Sequence, residues 1–167
     1  MKISALALTG TILLAALHPA AAAGTNVAFG GEATSGTIVI MTTERRLYLV
    51  LGDGRALRYV VGVGRAGRQW QGNSTIDGKY LRPNWAPPDA VRDAQPELPA
   101  MIPSGAPGNP MGAAAMTLSG GEYAIHGTNS PNSIGGFVSY GCIRMFNADI
   151  TDLYARVNIG TPVVVLR

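Results

Sequence analysis

Apart from an apolar run at its N-terminus, one stretch of this chain has the clear spacing of an amphipathic helix. From Asn147 to Val157 the apolar residues Ile150, Leu153 and Val157 recur every three or four positions and make a single stripe. Asn147 stands where an N-cap belongs, and Asp149 suits the positive helix end. Arg156 and Gly160 suit the other end. Elsewhere 22 glycines and 11 prolines cut the chain into short runs. Such a chain has room for a mainly β domain with one or a few short helices.

The short runs read as strands. Thr37 to Met41 is β-branched and apolar, and Arg46 to Val50 carries Leu47, Tyr48 and Leu49. Gly52-Asp53-Gly54 is a hairpin signal, and Ala56 to Val63 resumes strand character, so an antiparallel meander is expected. Thr75 to Leu81, Ala115 to Leu118, Tyr123 to Ile125 and Val163 to Leu166 are further strands. Between Arg82 and Pro110 lie eight of the 11 prolines. This predicts a long ordered loop anchored by Trp85 and Met101-Ile102, and loops of that length are often functional.

The N-terminus is expected to be an export signal. Met1-Lys2 is followed by the apolar run Ile3 to Leu17 and the small residues Ala20 to Ala23. The division is then 1–23 secretory signal peptide, 24–36 flexible N-terminal segment, and 37–167 a single domain. Removal leaves about 144 residues with no stable membrane span, exported from the cytoplasm. No cysteine follows the run, which argues against a lipid anchor. The formal charge is +3, and no arginine cluster carries interleaved aromatics, so nucleic-acid binding has little support. Cleavage would take His18 with it, leaving His126 and Cys142 as the sole histidine and cysteine. A disulfide within the chain and a cysteine–histidine zinc site are thereby excluded, and no metal or cofactor is expected.

Two familiar signatures fail on context. Gly62-Val63-Gly64-Arg65-Ala66-Gly67 matches a dinucleotide fingerprint, yet Arg68 to Thr75 is too turn-rich to begin the required helix. No serine lies in a G-x-S-x-G elbow.

His126 ends a predicted strand, and Cys142 lies 16 positions on, after a glycine-rich excursion. A loop of that size can return the chain to its own start. A free thiol has a pKa of about 8.5, so a neighbouring imidazole is needed to take its proton near neutrality. The resulting thiolate attacks an amide or ester carbonyl and forms a thioester. Backbone N–H groups at Tyr140, Gly141 and Cys142 are candidate donors to the oxyanion. A carbonyl near Gly127, or Asp149, is the candidate orienter of the imidazole. Acylation should lose rate at acidic pH as His126 gains its proton. By spacing alone, a buried structural cysteine and a satisfied strand-end histidine explain the pair equally well.

The local sequence goes further. His126-Gly127-Thr128-Asn129, a spacer, Ser139-Tyr140-Gly141-Cys142-Ile143-Arg144-Met145 and a helix containing Asp149 together resemble the L,D-transpeptidase catalytic domain of the YkuD type. Leu47-Tyr48, Val61-Gly62-Val63-Gly64 and Gly108-Asn109-Pro110-Met111-Gly112 are also similar to the family, and the likeness spans roughly Thr37 to Leu166. The resemblance implies a small mixed β-sandwich or flattened barrel. It implies Cys142 as acylated nucleophile, His126 as base and Gly127 as its orienter. Ser139, Tyr140 and Gly141 would shape the oxyanion site. Arg144 would bind a substrate carboxylate or make a structural salt bridge.

The implied substrate is the tetrapeptide stem of peptidoglycan, cut before its terminal D-alanine and passed to an amine to give a 3→3 cross-link. Carbapenems would acylate the same thiol. The same site also suits an L,D-carboxypeptidase, attachment of a protein to the wall, or a non-catalytic wall-binding module. Two positions depart from the family pattern. Tyr140 stands where histidine is common, and Ile76 stands where a turn proline is common. The Pro-rich segment is a candidate lid over the thiol.

Overall fold

The computed structural model describes residues 24–167, so the export-signal reading of residues 1–23 lies outside the described residues. Strand β1 (Thr25–Ala28) pairs antiparallel with residues Arg55–Arg58, in the stretch expected to be a flexible lead-in. Its side chains are largely exposed, so no buried face betrays it in the sequence; backbone pairing holds it, helped by Arg55 Nε donating to Asn26 Oδ1 at 2.8 Å.

The meander follows as β2 (Ile38–Met41), β3 (Arg46–Gly52) and β4 (Arg55–Val60). Asp53 and Gly54 take positive φ of 50° and 67°, the backbone that a two-residue hairpin with right-handed strand twist needs. The predicted Ala56–Val63 strand breaks after Val60 and resumes as β5 (Val63–Gly64). The Gly-x-Gly-x-x-Gly run thus enters a short strand and a turn, not a helix.

Strand β6 (Gly72–Leu81) is longer than expected, and α1 (Asp89–Arg92) is a single turn within the Pro-rich segment. Then come β7 (Ala114–Leu118), β8 (Ala124–His126), β9 (Phe137–Ser139), β10 (Ile143–Arg144), α2 (Asn147–Arg156) and β11 (Pro162–Leu166). Nine strands form one mixed sheet in the order β1-β4-β3-β2-β11-β6-β7-β8-β10, and β5 pairs with β9. The last strand sits inside the sheet, parallel to β2 and antiparallel to β6. A bridge between Gly62 and Arg144, with N–H···O bonds of 2.8 Å in both directions, ties the β10 edge back to the chain leaving β4. The fold is mainly β, as the sequence implies.

The stripe Ile150, Leu153 and Val157 is buried in the core with Met116, Ile125 and Ile143. Lys79 Nζ donates to the carbonyls of Tyr154 (2.8 Å) and Val157 (2.5 Å), which satisfies the end of α2. The helix starts differently from the expectation. Phe146, with no side-chain acceptor, is the N-cap, and the amide of Asn147, the first helical residue, is engaged elsewhere.

The Pro-rich segment is ordered by its own bonds. Trp85 and Ile102 exchange backbone bonds of 2.9 and 2.7 Å. Proline-dense chain is short of N–H donors, and buried Asn109 supplies one. Its amide donates to the carbonyls of Pro83 (2.9 Å) and Pro103 (3.1 Å) and accepts from Met111 N–H (2.9 Å). Among the described residues, no helix is long and apolar enough to cross a membrane.

Candidate active site

The parallel pair β8/β10 sets the site. Ile143 is in register with Ile125, and Arg144 with His126. Side chains alternate along a strand, so Ile125 and Ile143 enter the core while His126 and Arg144 face the other way. Cys142, one residue before β10, lines the same cleft of about 390 Å³ as His126 and Arg144. Trp85, Pro88 and Met111, at and just beyond the Pro-rich segment, line this cleft too.

His126 is 2% exposed, and its Nδ1 lies 2.7 Å from the Gly127 carbonyl oxygen. A carbonyl only accepts, so Nδ1 carries the proton and Nε2 keeps a lone pair. Burial, then the Arg144 charge, lowers the imidazole pKa to about 4, although the carbonyls of Gly127 and Pro110 pull the other way. The ring is neutral through weak acid.

Burial also raises the Cys142 thiol above its ordinary range; Glu122 adds to this, while the Ala124 backbone and Arg144 oppose it. Sγ lies 3.9 Å from the Glu122 carbonyl and makes no hydrogen bond to His126. The hydrogen bond expected between thiol and imidazole is therefore absent in this conformation. Cys142 directly precedes Ile143, which pairs with Ile125, and its thiol meets the backbone of Ala124.

A locked turn precedes the thiol. Ser139 Oγ donates to the Cys142 carbonyl at 2.6 Å and accepts from Gly141 N–H at 3.1 Å. Gly141 has φ of 129°, and a Cβ there would run into the Tyr123 ring. Trp70 stacks on that ring at 4.8 Å and donates Nε1–H to the Gly141 carbonyl at 3.0 Å. Gly141 N–H is thereby spent inside the turn. The Tyr140 ring carries the guanidinium groups of Arg65 and Arg68, 4.0 and 5.5 Å from its centroid.

Arg144 Nε is buried with no partner. The ion pairs among the described residues, Arg92–Asp89 and Arg156–Asp152, lie elsewhere, so the structural salt bridge considered for Arg144 does not form. Asp149 is buried on α2, and burial, then Asp152, raises its pKa to about 6. It makes no hydrogen bond to His126, which leaves Gly127 as the orienting group.

Sequence reasoning missed Trp70, Tyr123, Arg65, Arg68 and the task of Asn147. Asn147 Oδ1 accepts from Ala113 N–H and Thr128 N–H, both at 3.0 Å, and Nδ2 donates to the Thr128 carbonyl at 3.0 Å. A Cβ on Gly127 would collide with that Oδ1. The amide thus clamps the turn that follows His126. A tryptophan in a turn-rich loop was the available signal for Trp70. For Asn147 the first-turn position pointed to capping instead.

A mixed-sheet β domain with a thiol and an imidazole facing one cleft is the class that these features define. The fold is shared with solved L,D-transpeptidases. One from Mycobacterium smegmatis has a TM-score of 0.63 at 17% identity, over 78% of this chain and 58% of that one. The structure of LD transpeptidase LdtMt1 in complex with imipenem gives a TM-score of 0.59 at 16% identity, over 78% of this chain and 58% of that one. The chain belongs to the YkuD family, whose sequence model, the L,D-transpeptidase catalytic domain, matches residues 35–165. The "Probable L,D-transpeptidase ErfK/SrfK" of Escherichia coli (strain K12) is 40% identical over 136 residues, 77% of this chain and 43% of that protein. The chain thus spans under half the length of this curated relative.

Proposed function

We propose that this chain is an exported peptidoglycan L,D-transpeptidase that works through Cys142. The donor is a tetrapeptide stem. The thiol proton passes to His126 Nε2, and sulfur attacks the carbonyl of the amide before the terminal D-alanine. The oxyanion is held by the N–H groups of Tyr140 and Cys142. The C–N bond breaks, the imidazolium protonates the leaving amine, and a thioester remains. An amine of a neighbouring stem then attacks, its proton goes to His126, and the C–S bond breaks to give the 3→3 cross-link and restore the thiol.

One observation carries this reading: a neutral His126 with Nδ1 tied to Gly127 shares a cleft with Cys142. Family membership and the imipenem complex of LdtMt1 support it. Attack requires the thiol to leave the Glu122 carbonyl and turn toward the ring. The Pro-rich wall shields the thioester from water, and the residue 1–23 signal delivers the enzyme to the wall. Incubation with purified muropeptides tests the reaction. Cross-linked dimer in excess over released tripeptide supports transfer, and tripeptide alone means hydrolysis.

A further inference from the structure

The cleft holds more positive charge than the mechanism uses. Arg144 and Arg68 line it, and Glu122 is the acidic residue among its walls. Arg65 and Arg68 both lie against the Tyr140 ring, 4.0 and 5.5 Å from its centroid. Arg65, Arg68 and Arg144 make no salt bridge to a carboxylate among the described residues. Arg144 Nε is buried without an acceptor among the described residues. Since His126 is neutral, it neither adds to this charge nor offsets it.

The stacking has a geometric consequence. A guanidinium lying over an aromatic face keeps its N–H groups at the edge, where they meet a carboxylate two at a time. The ring fixes the fork before a ligand arrives, so less rotamer freedom is lost on binding. Arg65 and Arg68 are exposed, and their long side chains would otherwise roam. Tyr140 is the platform, at the position where the family commonly has histidine. Cys142 lies two residues from Tyr140 and two from Arg144 in the sequence, and Arg68, Tyr140, Cys142 and Arg144 line one cleft.

We propose that Arg65, Arg68 and Tyr140 form a rim subsite for a free carboxylate on the acyl-donor peptide, with Arg144 as a second anion contact in the same cleft. This rests on the donor reading above and deepens it. The favoured donor carries a carboxylate on each side of the scissile amide, and a donor whose side-chain acid is a carboxamide is discriminated against.

The test uses two synthetic tetrapeptide donors that differ only in a side-chain carboxylate against a carboxamide. Release of terminal D-alanine gives KM for each, and calorimetry on Cys142→Ala gives each Kd. The acid should be favoured by about tenfold or more, the size of one lost charge-assisted contact. The ratio should shrink with added salt. It should collapse in R65Q/R68Q and in Y140L but persist in Y140F, which keeps the ring. Equal KM and Kd for acid and amide, or a preference that survives R65Q/R68Q, would overturn the subsite. If neither peptide is turned over, the transpeptidase reading fails, while the Kd ratio still decides the rim.

Discussion

The Nδ1 of His126 lies 2.7 Å from the carbonyl oxygen of Gly127, its own neighbour in the chain. That one bond fixes which ring nitrogen is free, and burial with Arg144 keeps the ring neutral down to about pH 4. The raised thiol pKa sets the opposite limit. Between those limits the fraction of the reactive thiolate–imidazolium form does not change with pH. Acylation of Cys142 by a donor should therefore be flat across the neutral range and fall only as pH approaches about 4. In His126→Ala the residual rate should instead climb about tenfold per pH unit, following the thiolate alone. A His126→Ala profile parallel to wild type would remove His126 from the role of base.

The same shift enters folding stability. The unfolded imidazole binds a proton below about pH 6.5 and the native one only below about pH 4, so His126 lowers stability as pH falls through that window. The integrated effect is on the order of 3 kcal/mol at most. Asp149 acts with the opposite sign. Its native pKa of about 6 lies above the usual 3.8, so stability rises as pH falls from 6 toward 3.8. The two slopes partly cancel in the wild type. Urea melts of His126→Gln should show greater stability at pH 4.5 relative to pH 7 than wild type does, and Asp149→Asn should show less. Identical slopes in all three proteins would contradict these shifts.

Asn147 positions the turn after His126 through three bonds to Ala113 and Thr128. Asn147→Ala should cost about 1–3 kcal/mol of stability by leaving those groups unpaired. It should also slow acylation by up to about a hundredfold through a displaced ring. Asn147→Asp keeps the acceptor oxygen and should recover part of both. The informative readout is the imidazole nitrogen signal in NMR, which moves only if the His126–Gly127 bond is disturbed. An unchanged signal with an unchanged rate would reduce Asn147 to a local brace.

Much of this was legible because local patterning and tertiary need agree. The stripe Ile150, Leu153, Val157 and the Asp53-Gly54 turn fall where their spacing puts them. Strands β1, β9 and β10 were not legible, because their pairing depends on partners far away in sequence rather than on an alternating pattern. The same distance explains the site. The sequence marks His126 and Cys142, but not the register that puts the thiol beside Ala124. Nor does it show that Asn147 serves a turn 19 residues upstream instead of its own helix.

Acylation of the thiol is the central claim, and intact-mass spectrometry after incubation with imipenem tests it most directly. The account predicts one covalent adduct per chain, mapped by digestion to the peptide containing Cys142 and absent from Cys142→Ala. Folded protein that gains no adduct, or gains it equally in Cys142→Ala, would contradict it.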